Sequence, residues 1–166
     1  MPLVLGIGGN STAAVVERIE ELKEQLATRT IGTKELFTFE TSEGVELNAW
    51  MVKPANFDAT KRYPVIMYQY SGPGSQEVKD SWSIGFCRDG GLLESYWADK
   101  GFIVVCVDGR GTGGRGADFE KCTYLNLGIQ ESKDQVETAL WLGTLPYVDK
   151  NNIGIWGGSY GGFNTL

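Results

Sequence analysis

The sequence predicts an α/β fold, with a mixed, mostly parallel sheet, flanking helices and an antiparallel hairpin at the start. Alternating apolar residues from Leu36 to Glu40 and from Glu46 to Val52 indicate two strands joined by a turn. A nearly continuous apolar run from Phe102 to Val107 is typical of a parallel strand that helices cover on both faces. Helical and strand patterns then alternate along the rest of the chain, which implies right-handed crossovers.

The first 30 residues are predicted to form an N-terminal segment with a docking helix and no chemistry of its own. From Ser11 to Thr28, apolar residues recur at helical spacing opposite a glutamate-rich face. Residues 31–166 are expected to form one larger unit. The division therefore predicts two parts, 1–30 and 31–166.

Within the larger unit, the turn of the hairpin is expected at Ser42–Gly44. A third strand is predicted from Val65 to Tyr70, and a long loop follows from Ser71 to Gly91. Helical spacing resumes at Leu92 and stops at Gly101, a residue suited to a helix C-cap. Long ordered loops often shape sites, so the loop is a candidate to do so.

A further helix and strand are predicted near the C-terminal end of the sequence. Ser132 and Gln135 have the spacing of a capping box, and Ile153 to Trp156 are expected to form a short buried strand. The predicted buried face of the helix consists of Val136, Ala139, Leu140 and Gly143.

Composition excludes several classes of function. The chain has 166 residues, a net charge of -6 and an isoelectric point near 4.7, which argues against nucleic-acid and anionic-membrane partners. No apolar stretch is long enough for a membrane span, so a soluble protein is expected. The sequence does not indicate the compartment, and export of a longer parent protein is one option. Three cysteines without CxxC spacing give neither a disulfide framework nor a zinc ribbon, and Cys106 is interpreted as core filling.

The sequence contains no histidine, so a mechanism with an imidazole base needs a residue from elsewhere. No metal site and no cofactor are expected. The match of Gly111–Gly116 to GxGxxG is weak, because no carboxylate ends a following strand at the distance that a dinucleotide site requires. Arg110 and Arg115 in this glycine-rich loop are instead expected to order loops through carboxylates or carbonyls.

The strongest chemical signal is the GxSxG motif that follows the last predicted strand. A serine on a sharp strand-to-helix turn has a strained backbone, and neighbours without side chains let the helix approach the strand. Gly157, Gly161 and Gly162 meet that requirement around Ser159, the candidate nucleophile. The backbone N–H of Tyr160 is the candidate oxyanion donor.

Three segments resemble dipeptidyl peptidase IV-like enzymes of the prolyl oligopeptidase family. They are the nucleophile segment Ile153–Phe163, the YxGPxSQ-like segment Tyr70–Gln76, and the strand with its DGRG turn, Gly101–Gly111. The resemblance implies the first part of an α/β-hydrolase peptidase domain over 31–166, without later strands or a propeller. It also implies that the Tyr70 hydroxyl is a second oxyanion donor, although an aromatic residue at a strand end can simply cap the core.

The resemblance has gaps. Gly158 stands where the family usually has tryptophan, and Asn164 stands where it usually has an apolar residue. The chain ends seven residues after Ser159, so the family's triad aspartate and histidine are expected to follow it or to come from a complementing or oligomeric chain. The expected function is a serine peptidase fragment for peptide substrates that does not turn over alone. The alternatives are a catalytically dead or engineered scaffold or binding module, or an esterase-type fragment.

Overall fold

A computed structural model of the chain describes residues 12–28, 31–81 and 92–166. Met1 to Gly9, Ser11, Cys87 and the last part of the predicted loop lie outside these residues. The chain divides into two units, Met1–Thr30 and Ile31–Leu166. In the first unit, helix α1 spans Thr12–Ala27, close to the bounds that its apolar spacing predicts.

The second unit contains five strands: β1 Thr33–Glu40, β2 Glu46–Lys53, β3 Tyr63–Tyr68, β4 Ile103–Asp108 and β5 Val148–Trp156. They form one sheet in the order β1-β2-β4-β3-β5. The predicted hairpin of β1 and β2 is antiparallel, β2 is antiparallel to β4, and β3 is parallel to both β4 and β5. Four strands of this sheet therefore run in one direction, and β2 runs in the other.

The helices of the second unit are α2 Leu92–Asp99, α3 Ala117–Lys121, α4 Ile129–Leu142 and α5 Tyr160–Thr165. Among the described residues, the structure has no helix long and apolar enough to span a membrane.

Helices cover both faces of the central strand β4, as its apolar run predicts. Val104 and Cys106 point into a core that includes Ala98 of α2, whereas Val105 and Val107 point into a core that includes Leu142 of α4.

The predicted orientation of α4 is wrong. Val136 and Leu140 are 58% and 64% exposed, and Ala139 and Gly143 are only partly buried. The buried positions are instead Glu131, Asp134, Gln135, Thr138 and Leu142. Polar side chains are buried where they have hydrogen-bond partners, and apolar periodicity contains no information about those partners.

The start of α4 also differs from the prediction. The helix begins three residues before Ser132, with Gly128 as its N-cap. Glu131 takes the role in the capping box that the sequence assigned to Gln135, because its carboxylate accepts the Gly128 N–H at 2.9 Å. Gly128 has a φ of 87°, which explains why a glycine occupies this position.

The last two strands also depart from their predicted limits. β3 ends at Tyr68, so Tyr70 lies two residues beyond the strand instead of at its end. β5 is longer than predicted and lies at the edge of the sheet, and Ile155 is 37% exposed. The expectation of a short buried strand at Ile153–Trp156 is therefore wrong, since β5 has a paired neighbour on one side only.

Arg110 joins the glycine-rich loop after β4 to α4 and to the hairpin. Its guanidinium donates to both carboxylate oxygens of fully buried Asp134, at 2.6 to 3.1 Å, and to Glu43 at 2.5 Å. Arg115 in the same loop donates to the backbone carbonyl of Glu46. The two arginines therefore make the carboxylate and carbonyl contacts that the sequence predicts for a loop-ordering role.

Asp108, at the end of β4, holds the loop that follows β3. Its carboxylate accepts the backbone N–H groups of Glu77 and Val78 at 2.8 to 3.0 Å. Burial nevertheless raises the pKa of Asp108 to about 6, against the opposite effect of these hydrogen bonds. The anchor of this loop therefore titrates in a mildly acidic range.

Replacing Arg110 should destabilise the fold, because Asp134 would remain buried without its cation. We expect Arg110→Met to lower the free energy of unfolding by about 3 kcal/mol, measured by urea denaturation. The matched control is Arg62→Met at an exposed arginine, which should change stability by less than about 0.5 kcal/mol. Equal effects of the two substitutions would contradict a structural role for the buried ion pair.

Asp108 should make stability depend on pH in a defined direction. Its pKa is higher in the folded chain, at about 6, than in the unfolded chain, so the folded state binds the proton more tightly. The unfolding free energy of the wild type relative to Asp108→Asn should therefore decrease as pH rises from about 4 to about 6, then level off. A difference that is flat or increases over this range in parallel denaturation series would contradict the assignment.

Candidate active site

Ser159 lies on a tight turn between the end of β5 and the start of α5. Its φ and ψ are 56° and -119°, and its side chain is exposed. A positive φ at a residue with a Cβ is strained, and such residues concentrate at functional sites. The turn thus presents a hydroxyl to solvent from a backbone conformation that an ordinary loop residue avoids.

The turn is possible only because two flanking residues lack side chains. A Cβ added to either Gly157 or Gly161 would overlap the backbone carbonyl oxygen of Gln69. At Gly162 the added atom would lie 3.2 Å from the Gly157 carbonyl oxygen, which is tight but less severe. The elbow therefore packs backbone against backbone on the segment that follows β3, as the predicted role of these glycines requires.

Gln69 fastens α5 to this segment, and sequence reasoning did not identify it. Its side chain is fully buried, and Nε2 donates to the Gly161 carbonyl at 2.6 Å and to Thr165 Oγ1 at 3.0 Å. Its Oε1 accepts from Asn164 Nδ2 at 3.2 Å. The sequence signal that could have identified Gln69 is its position as a polar residue directly after an apolar strand.

Asn164, which differs from the resembled family, is satisfied in this fold. Besides its bond to Gln69, its Oδ1 lies 2.9 Å from Ser132 Oγ on α4. Asn164 is partly buried, and an amide withdrawn from water is costly only when its hydrogen-bonding groups have no partner. The polar residue at this position therefore has a local explanation.

Tyr70 lies beside the elbow. Its ring is half-buried, with its centroid 6.2 Å from that of Tyr160, and its Cα would be 3.0 Å from a Cβ on Gly161. The next residue, Ser71, is buried at a φ of 58° and accepts from Gln135 Nε2 of α4 at 3.2 Å. The structure thus brings Tyr70, Ser159 and Tyr160 into one place, although Tyr70 and Ser159 are far apart in sequence.

A hydrogen bond to helix α4 holds the side chain of Tyr160. Its hydroxyl donates to Glu131 Oε1 at 2.6 Å, and Glu131 is fully buried. Burial, together with this neighbouring carboxylate, raises the pKa of Tyr160 to about 12. The phenol is therefore neutral and a hydrogen-bond donor at physiological pH. Glu131 was missed because the sequence placed the buried face of α4 elsewhere.

The loop that carries Tyr70 is also tied to the glycine-rich loop after β4. The Gly74 N–H donates to the Gly111 carbonyl at 3.0 Å, and the Gly113 N–H donates to the Ser75 carbonyl at 2.7 Å. An added Cβ on Gly113 would lie 2.7 Å from the Gly74 carbonyl oxygen. Gly111 and Gly113 of the GxGxxG match thus serve loop packing.

A family model, curated relatives and solved structures that resemble this chain all point to the same protein family. Residues 92–166 match the model described as the prolyl oligopeptidase family. A probable dipeptidyl-aminopeptidase B of Ajellomyces dermatitidis is 41% identical over 158 residues, which cover 95% of this chain. The chain spans only 16% of that relative's length.

Two solved structures are similar in both sequence and fold. The crystal structure of Porphyromonas gingivalis dipeptidyl peptidase 4 has a TM-score of 0.79 and 51% identity, over 87% of this chain and 20% of that one. A putative dipeptidyl aminopeptidase IV from Bacteroides ovatus has a TM-score of 0.74 and 42% identity, over 82% of this chain and 19% of that one. The chain therefore belongs to the prolyl oligopeptidase family, in its dipeptidyl peptidase IV-like branch, and has the α/β-hydrolase fold in part.

Proposed function

We propose that this chain supplies the nucleophile and the oxyanion donors of a serine peptidase that releases dipeptides. Ser159 is the nucleophile, and the Tyr160 N–H and the Tyr70 hydroxyl stabilise the oxyanion. The observation that carries the proposal is the exposed hydroxyl of Ser159 on a strained strand-to-helix turn, with Tyr70 packed beside it. The substrate class rests on the names of the relatives.

The reaction is an acyl transfer. Ser159 Oγ bonds to the scissile carbonyl carbon while its proton passes to a general base, and the carbonyl oxygen becomes an oxyanion. The C–N bond then breaks as the base returns the proton to the leaving amine, and water later hydrolyses the acyl-enzyme. Two donors aimed at the oxyanion stabilise the charge that develops in the transition state.

The general base has to come from outside this chain, which has no histidine. We propose that the remainder of a longer parent, or a complementing or oligomeric chain, supplies the aspartate and histidine. Without a base the serine hydroxyl is a weak nucleophile, and loss of a catalytic histidine reduces kcat by about a million-fold in serine peptidases. The chain alone should therefore not turn over a peptide.

A hybrid enzyme tests the proposal. The full 166-residue chain replaces the matching segment of the P. gingivalis relative, and the hybrid is treated with a fluorophosphonate and assayed with a proline-containing dipeptidyl amide. We expect Ser159 to be labelled and the amide to be cleaved faster than a simple aryl ester. Ser159→Ala should abolish both signals, and the chain alone should give neither at a comparable rate.

Three other outcomes would replace the proposal. A folded hybrid without labelling would favour the scaffold or binding-module alternative. Labelling with cleavage of the aryl ester alone would favour an esterase. Labelling at another serine would exclude Ser159 as the nucleophile.

The Tyr70 hydroxyl should act mainly on the chemical step. In the hybrid, Tyr70→Phe should lower kcat by about 100-fold, the usual effect of losing one oxyanion donor, while KM changes little. Tyr96→Phe is the matched control, because Tyr96 lies on α2 and is 53% exposed. An unchanged kcat in Tyr70→Phe would leave Tyr70 as an aromatic that caps the core.

A further inference from the structure

Glu131 is a fully buried carboxylate whose two oxygens both have partners near the elbow. Oε1 accepts the Tyr160 hydroxyl at 2.6 Å, and Oε2 accepts the Gly128 N–H at 2.9 Å. A buried charged group is costly unless hydrogen-bonded, and bonds to a carboxylate are stronger than those between neutral groups. Glu131 therefore fixes the Tyr160 hydroxyl relative to the first turn of α4.

Packing around the Tyr160 ring reinforces this connection. The Tyr160 ring lies 5.5 Å from the Phe163 ring, between centroids, and 6.2 Å from the Tyr70 ring. A Cβ on Gly128 would lie 3.2 Å from the Phe163 ring, so the start of α4 and the turn of α5 are close neighbours. The side chain of Tyr160 is thus held at its hydroxyl and along its ring.

Tyr160 directly follows the strained nucleophile. A residue at a φ of 56° keeps that conformation only when its surroundings over-determine it. The hydrogen bond between the Tyr160 hydroxyl and Glu131 restricts the Tyr160 side chain. It thereby restricts the Tyr160 backbone and the direction of its N–H. A displacement of about 1 Å in a catalytic group can reduce the rate about 100-fold.

We propose that Glu131 is a positioning residue that, through the Tyr160 hydroxyl, holds the Tyr160 N–H in place for the oxyanion formed at Ser159. The inference rests on the proposed function, because it needs Ser159 to be the nucleophile. Glu131 does not contact substrate in this role. It acts through the hydrogen bond to the phenol.

A double-mutant cycle in the hybrid enzyme tests the inference, with kcat and KM for the dipeptidyl amide as readouts. Glu131→Gln offers a single acceptor oxygen, so it cannot accept both the Tyr160 hydroxyl and the Gly128 N–H and breaks the connection from Tyr160 to the start of α4. Tyr160→Phe breaks the same connection at the hydroxyl but keeps the backbone N–H. Each should lower kcat by about 10- to 100-fold with KM within about threefold. The double variant should be no slower than the slower single variant, since both break the same connection.

The matched control is Glu137→Gln, which lies on the same helix and bonds to Ser42 of the hairpin turn. We expect its kcat to equal that of the unmodified hybrid. If Glu131→Gln does not fold, Tyr160→Phe examines the same bond from the other side, and a normal kcat in that variant overturns the inference. Independent effects, in which the double variant falls by the product of the single losses, also overturn it.

Failure of the inference is distinguishable from failure of the proposed function. An unmodified hybrid that is not labelled at Ser159 contradicts the proposed function itself. A labelled, active hybrid with a normal kcat in both Glu131→Gln and Tyr160→Phe retains the function and removes the positioning role. A rise in KM alone would assign Glu131 and Tyr160 to substrate binding and contradict positioning.

Discussion

The close approach of two backbone segments is the constraint on which the site depends. The Gln69 carbonyl lies where a side chain on Gly157 or Gly161 would have to be, so the end of β5 and the start of α5 pack directly on the segment after β3. This contact turns the chain sharply at Ser159 and leaves its hydroxyl exposed. Tyr70 follows Gln69 in the chain, so the same contact brings the phenol beside the elbow.

Helix α4 connects the parts of this arrangement through its buried polar face. Glu131 bonds to Tyr160, Asp134 bonds to Arg110, and Gln135 bonds to the Ser71 hydroxyl next to Tyr70. Hydrogen bonds of this kind specify geometry more strictly than apolar packing, because each depends on distance and direction. The helix therefore makes directional hydrogen bonds to Tyr160 and to the neighbour of Tyr70, as well as filling space against the sheet.

Local patterns were sufficient for part of the fold. The period-two hairpin, the apolar run of β4 and the glycine spacing around Ser159 are each encoded within a few residues, and the structure contains all of them. The buried face of α4 could not be predicted this way, because Glu131 is buried by partners distant in sequence. Gln69 and Glu131 were missed for the same reason, since apolar periodicity treats every buried polar residue as an exception.

The conformation of Ser159 has a consequence for how the family can change over evolutionary time. A residue at a φ of 56° favours glycine on conformational grounds, so a serine there makes the resting protein less stable than it could be. Mutations that abolish the hydroxyl and relax the turn would tend to make the chain more robust. Such a domain would therefore trade folding stability against keeping the exposed hydroxyl at Ser159. Forms that lost the hydroxyl would have more stability in reserve and would tolerate more destabilising mutations elsewhere.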